Sequence, residues 1–228
     1  VFISPCCNDS GLSIGAAAYY SFLQNSELTI SNPYINNWET KEQYDVSNED
    51  IKATASVLVN NEIVAVCNGN GEAGPRALGN RSLLARADNK DLSEFLSMKV
   101  KEREWYRPVA PIMLEKNACE FTEQKEIHHL SKYMLLDFKI TERFHEELAG
   151  VVHANGTARI QTISSEKDNP FIFHLLSYLE EKHNIRALIN TSFNGKGEPI
   201  VQTPADAMRS AKNMKLSNIV INGKFSIL

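Results

Sequence analysis

Residues 62–82 read EIVAVCNGNGEAGPRALGNRS, an apolar run followed at once by a glycine-rich turn carrying two arginines, Arg76 and Arg81. Residues 63–67 have the make-up of a buried strand. Four glycines and a proline crowd residues 69–82, and glycine lets a backbone turn tightly and approach a ligand closely. Arginine adds a planar fork of donors matched to phosphate or carboxylate oxygens. A strand that runs into such a turn is an oxyanion-holding arrangement at the end of a sheet. The alternative is a turn whose arginines pair with neighbouring acids. No Gly-Lys-Ser/Thr closes the stretch, so it is not a Walker A loop, and it is not a GxGxxG that opens a helix.

Outward from that turn, strands and helices interleave. Ser47 with Asn48, Glu49 and Asp50 starts a capped helix that leads through IKATASVLV to the strand. Residues 88–101 have helical spacing, and residues 108–115, 133–140 and 157–163 read as strands. Asn169-Pro170 opens an amphipathic helix to residue 183, IRALINTS is a buried strand, Thr203-Pro204 opens a helix to about residue 214, and NIVING is a closing strand. This alternation predicts an α/β sheet. Before it, residues 1–3 read as a short strand, residues 11–23 as a small-residue helix, and residues 25–47 as a polar linker.

Of the 228 residues, 43% are hydrophobic and 23% charged, ordinary values for a globular chain, and no run is long enough to cross a bilayer. The net charge of −4 offers no general attraction to nucleic acid or to anionic membranes. Between Glu72 and Arg107, however, eight basic residues stand against six acidic ones, a local excess that suits an anion pocket rather than a basic face. The four cysteines have no CxxC or zinc spacing, which favours a reducing, cytoplasmic setting.

Three further stretches carry polar chemistry. In KVKEREWYRP (residues 99–108), Lys99, Lys101, Arg103 and Arg107 crowd together, a repulsive arrangement unless a counter-anion or the intervening Glu102 and Glu104 relieve it. In HANGTARIQT (residues 153–162), Thr157, Arg159 and Gln161 alternate onto one face of the expected strand, facing water or walling a polar pocket. INTSFNGKGEPIV (residues 189–201) brings hydroxyls and an amide to the carboxyl end of a strand, where open α/β sheets bind ligands and where turns are also made.

Taken in order, GEAGPRALGNRSLLA, KEREWYRPVAPIMLE, NGTARIQT and NTSFNGKGEPIVQTPADA resemble the carboxyl-terminal domain of the nodulation-protein-U-type O-carbamoyltransferases. That family includes tobramycin- and cephalosporin-pathway enzymes. The resemblance implies a YrdC-like domain over residues 48–228, an α/β fold with a twisted mixed sheet and flanking helices. It also implies that residues 1–24 are a remnant of an amino-terminal actin/hexokinase-like transferase domain, joined by the linker at 25–47. In the family the YrdC-like domain makes carbamoyl-adenylate from ATP and carbamoyl phosphate, and the amino-terminal domain passes the carbamoyl group to an acceptor hydroxyl, here of unknown identity. The YrdC-like K-x-R and S-x-N signatures correspond to Lys101 and Arg103, and to Ser192 and Asn194. The resemblance makes Arg76, Lys101 and Arg107 the catalytic cations. Arg103, Thr157, Arg159, Gln161, Thr191, Ser192 and Asn194 then join them in binding nucleotide and carbamoyl phosphate. Mg2+ is the implied companion of ATP. Asp9 matches a ligand of Fe2+ or a similar divalent metal, whose histidine ligands would lie upstream. A homodimer that covers the apolar face of the first helix is an expected partner. The alternative function is an RNA-binding or threonylcarbamoyl-adenylate-type YrdC-like module. His153-Ala154-Asn155-Gly156-Thr157 and Lys196-Gly197-Glu198-Pro199 depart from the family's His-x-Asp-Gly-Thr and Arg-Gly-Glu-Pro, which bears on substrate detail.

Overall fold

The computed structural model describes residues 11–30, 32–38, 43–74 and 76–228. Asp9 and the short strand expected at residues 1–3 lie outside the described residues.

Seven strands form one mixed sheet in the order β6-β3-β7-β2-β1-β8-β9. They are β1 (Val64–Cys67), β2 (Arg81–Arg86), β3 (Ala110–Leu114), β6 (Gln161–Ile163), β7 (Ala187–Ser192), β8 (Asn218–Ile221) and β9 (Lys224–Ile227). Two pairs are parallel, β1 with β8 and β3 with β6, and the others are antiparallel. A separate two-stranded ladder joins β4 (Phe138–Lys139) to β5 (Thr157–Ala158).

Both faces of the large sheet are covered, which is why its central strands are apolar almost throughout instead of alternating with polar residues. Val64, Val66, Leu84, Ile112, Leu188 and Val220 face one core, filled by α2 (Asn48–Val59) and α5 (Pro170–His183). Ala65, Leu83, Ala85, Met113, Ile189 and Ile219 face the other, together with α4 (Glu115–Thr122) and α6 (Pro204–Asn213). Helix starts are fixed locally. Ser47 accepts from the Asp50 amide, Asn169 accepts from the Ile172 amide, and Thr203 and Asp206 form a capping box.

Two expected strands are corrected. Residues 133–140 hold only the two-residue β4, because a 3-10 turn (His129–Tyr133) ends at Met134 in the left-handed region, φ 54, which no extended run tolerates. Residues 157–163 divide into β5 and β6, which pair with different partners and release Arg159 between them from either ladder. β2, α4 and β9 are further elements beyond those the sequence pattern predicts.

The α1 helix (Leu12–Leu23) has no buried residue, and Leu12, Tyr19, Tyr20, Phe22 and Leu23 are exposed. Within residues 25–47, Tyr34, Tyr44 and Val46 pack on the domain, and Asn36 pairs with Gly71. No helix among the described residues is long and apolar enough to cross a membrane.

Candidate functional site

The glycine-rich turn is wound around two buried charges. One oxygen of Glu72 accepts from the amides of Leu78, Asn80 and Arg81 at 2.6, 2.8 and 3.1 Å. The Arg81 guanidinium, 1% exposed, donates to the carbonyls of Asn68, Gly69, Asn80 and Gln202 at 2.7 to 3.0 Å. Gly79 has φ +114, and a Cβ there would meet the Asn169 amide nitrogen at 2.8 Å, so the turn and the cap of α5 fit only around glycine. Arg81 therefore neither holds an external anion nor pairs with an acid. It staples the turn to the chain after β7 and leaves Arg76, exposed, to face outward.

The second cluster reaches the same place by a break in helical phase. After the short helix α3 (Lys90–Glu94), a π-helical turn (Phe95–Val100) ends at Lys101, and Glu102 takes φ +47. Lys99 stays in solvent, whereas Lys101 and Arg103 turn inward to the end of β7. Lys101 Nζ donates to the carbonyls of Ser192 and Asn194 and to Asn194 Oδ1, the last at 2.6 Å. Arg103 donates to the hydroxyls of Thr191 and Ser192 at 3.0 and 3.2 Å. Neither Glu102 nor Glu104 neutralises it: Glu104 faces Arg107 at 3.5 Å and Glu102 faces Lys196 at 3.8 Å, all of them well exposed.

Arg76, Arg103, Arg107 and Arg159 line one cavity of about 410 Å3 with Asn190, Thr191, Ser192, Asn194 and Met134. Glu198 is the single carboxylate among its described lining residues. Burial, and then the charges of Arg107, Arg76 and Arg159, depress the Arg103 pKa, and burial followed by Arg76 does the same to Arg159. Lys101, behind Ser192 and Asn194, is drawn down to about 7 by burial and then by Arg103 and Arg107, with Glu198 pulling the other way. Burial is the largest cause in each case, and the cationic neighbours add to it because like charges are set close together. Two polar atoms buried at the cavity lack partners, Arg159 Nε and Asn190 Oδ1.

Of the residues singled out in the sequence, Arg76, Arg103, Arg107, Arg159, Thr191, Ser192 and Asn194 meet here, with Lys101 immediately behind. Gln161 stands one step back, buried, donating to the Leu78 carbonyl and accepting from Asn190. Thr157 lies outside the cavity and bonds Asn155 and His153. Asn190 and Glu198 were passed over. A polar side chain in the otherwise buried IRALINTS run was the available signal for the first. A larger cavity, about 830 Å3, lies beyond the glycine turn among Tyr34, Tyr44, Asn80 and Asn169. Its charges balance, Asp45 and Asp168 against Lys167 and Lys224, so it lacks the cation excess that distinguishes the smaller one.

The sheet order and this cation-lined sheet end define a YrdC-like α/β domain. The fold is similar to that of P. abyssi Sua5 complexed with L-threonine, with a TM-score of 0.54 over 81% of this chain and 50% of that one at 15% identity. It is also similar to T. kodakarensis HypF, with a TM-score of 0.51 over 81% and 24% at 15% identity. Residues 55–227 match the family of the carbamoyltransferase C-terminus, and the chain belongs to that family. It is 32% identical over 243 residues to nodulation protein NolO of Bradyrhizobium diazoefficiens, covering 97% of this chain and 43% of that protein. To nodulation protein U of Azorhizobium caulinodans it is 35% identical over 212 residues, covering 91% and 37%. The chain thus spans about two fifths of the length of these relatives.

Proposed function

We propose that this domain binds ATP and carbamoyl phosphate in the cation cavity and forms carbamoyl-adenylate, within a longer protein that transfers the carbamoyl group to an acceptor hydroxyl. The observation that carries the reading is the convergence of four guanidinium groups, from three separate stretches of chain, on one cavity with a single carboxylate among its described lining residues. Carbamoyl phosphate and a triphosphate bring several negative charges into one cleft, and their water can be removed only where fixed donors replace it. Arg76, Arg107 and Arg159 supply those donors, and Arg103 is held in place by the β7 hydroxyls. Adenylation displaces pyrophosphate at the α-phosphorus, a step that asks for preorganised cations rather than a nucleophilic side chain. Magnesium fits such a site as an ion carried on the nucleotide phosphates. Glu198 is the one lining carboxylate, its Oε2 already accepts from Gly195 and Ser210, and no group of three potential ligands exists among the described residues. The divalent site involving Asp9 belongs, in this proposal, to the remainder of the longer protein.

Calorimetric titration with carbamoyl phosphate and with ATP–Mg2+, and a pyrophosphate-release assay with both, test the reading. Arg76→Ala and Arg159→Ala are each expected to weaken carbamoyl phosphate binding by about 10- to 100-fold, the worth of a charge-assisted contact of about 1.5–3 kcal/mol. Absence of binding of either ligand at millimolar concentration would overturn it.

A further inference from the structure

Beside the cation cavity a second groove, about 370 Å3, shares Arg107, Pro108 and Val109 with it. Val151, Val152 and His153 help to line it, and Trp105 and Tyr106 stand at it with 83% and 66% of their surfaces exposed. The two rings meet edge to face, centroids 5.9 Å apart. Tryptophan is highly buried on average, and a contiguous exposed apolar patch marks an interaction site. Here the chain places both rings outward by local geometry. The π-helical turn ends one residue before Glu102, whose positive φ reverses the backbone. Arg103 then enters the cation cavity while the Trp-Tyr pair remains outside it. Single π-turns of this kind are frequent at functional sites.

A ligand that uses both compartments must join a flat, apolar-faced ring system to a polyanion. A carbamoyl group is planar but too small and polar to cover two exposed aromatic rings, whereas a nucleobase presents a broad flat face. We propose that Trp105 and Tyr106 form the base-stacking wall of the nucleotide site, so that the nucleobase occupies this groove while its phosphates lie among Arg76, Arg103, Arg107 and Arg159. The inference rests on the ATP reading above and gives the nucleotide a direction. His153 fits the edge of a base: one ring nitrogen meets the Thr157 hydroxyl at 3.1 Å, and burial keeps its pKa below the usual histidine value, so the ring is neutral near neutral pH.

The test compares ATP with inorganic tripolyphosphate, which carries the charge without the base, on the parent chain and on Trp105→Ala. Calorimetry on the parent is expected to show ATP binding about tenfold more tightly than tripolyphosphate, the usual worth of one aromatic–base stack. Trp105→Ala should bring ATP to the tripolyphosphate level and leave tripolyphosphate unchanged, with the same melting temperature, since the side chain is exposed. Equal affinities of the two ligands on the parent chain overturn the base subsite and leave the ATP site standing. An equal loss of both ligands in the variant also overturns it, because Trp105 would then be shaping the cation cavity. Failure of the parent to bind either ligand removes the ATP reading itself and the inference with it.

Discussion

Arg81→Met is expected to destabilise the chain by about 3–5 kcal/mol, with no ligand involved. The substitution leaves the carbonyls of Asn68, Gly69 and Gln202 without their buried guanidinium donor, while the Asn80 carbonyl keeps the Asn68 amide. Unsatisfied buried acceptors cost about 1–3 kcal/mol each, so three of them account for a loss of about 3–5 kcal/mol. A domain's whole stability is only about 5–15 kcal/mol, so the loss should appear as a large drop in the urea midpoint at an unchanged slope. Arg76→Met, five positions earlier in the same turn, removes an exposed side chain and should shift stability by no more than about 0.5 kcal/mol. If the two variants unfolded at the same urea concentration, the division of labour between the two arginines would be wrong.

That division marks the limit of what the sequence made legible. β1, β3, β7 and β8 could be read because strands buried on both faces are nearly continuous apolar runs, and α2, α5 and α6 because Ser47, Asn169-Pro170 and Thr203-Pro204 are local signals with a local cause. β2 was hidden although it is central: RSLLAR is short and has an arginine at each end, one turned to backbone carbonyls and the other to Asp88. The run at residues 133–140 misled because Met134, Leu135 and Leu136 have strand composition, while Met134 in fact packs with Leu78 and Ala110 beneath the cation cavity. At the site, arginine-rich stretches announced an anion, but their number did not say which cations face it. That depends on the π-helical turn before Lys101, on the break between β5 and β6 that frees Arg159, and on the buried Glu72–Arg81 core that turns Arg76 outward. All three are decided by tertiary contacts between residues far apart in the chain.

Lys101 offers the sharpest test of how the site's charge is controlled. Sulfate, whose charge is constant over the relevant range, is expected to bind with roughly constant affinity below pH 7 and to weaken about tenfold between pH 7 and 9. The Lys101 pKa of about 7 in the free protein comes from burial and then from Arg103 and Arg107. An anion in the cavity offsets those guanidinium charges and raises it, so binding takes up a proton, and affinity falls as pH climbs above the free value, by at most tenfold per unit. Stability should move the other way. An unfolded lysine titrates near its ordinary value of about 10.4, so between pH 7 and that value the unfolded chain holds the extra proton. Unfolding free energy from this group therefore rises with pH across the window, and below pH 7 the full cost of burying the ammonium is present. Affinity for sulfate and resistance to urea should thus change in opposite directions over the same interval, and both slopes should be lost in Lys101→Met. The parent profile decides the matter even if that variant folds poorly, since Lys101 also bonds Ser192 and Asn194. Sulfate affinity that stays flat from pH 6 to 9 would mean that Lys101 keeps its proton throughout, with the oxygens of Ser192 and Asn194 outweighing burial and its cationic neighbours.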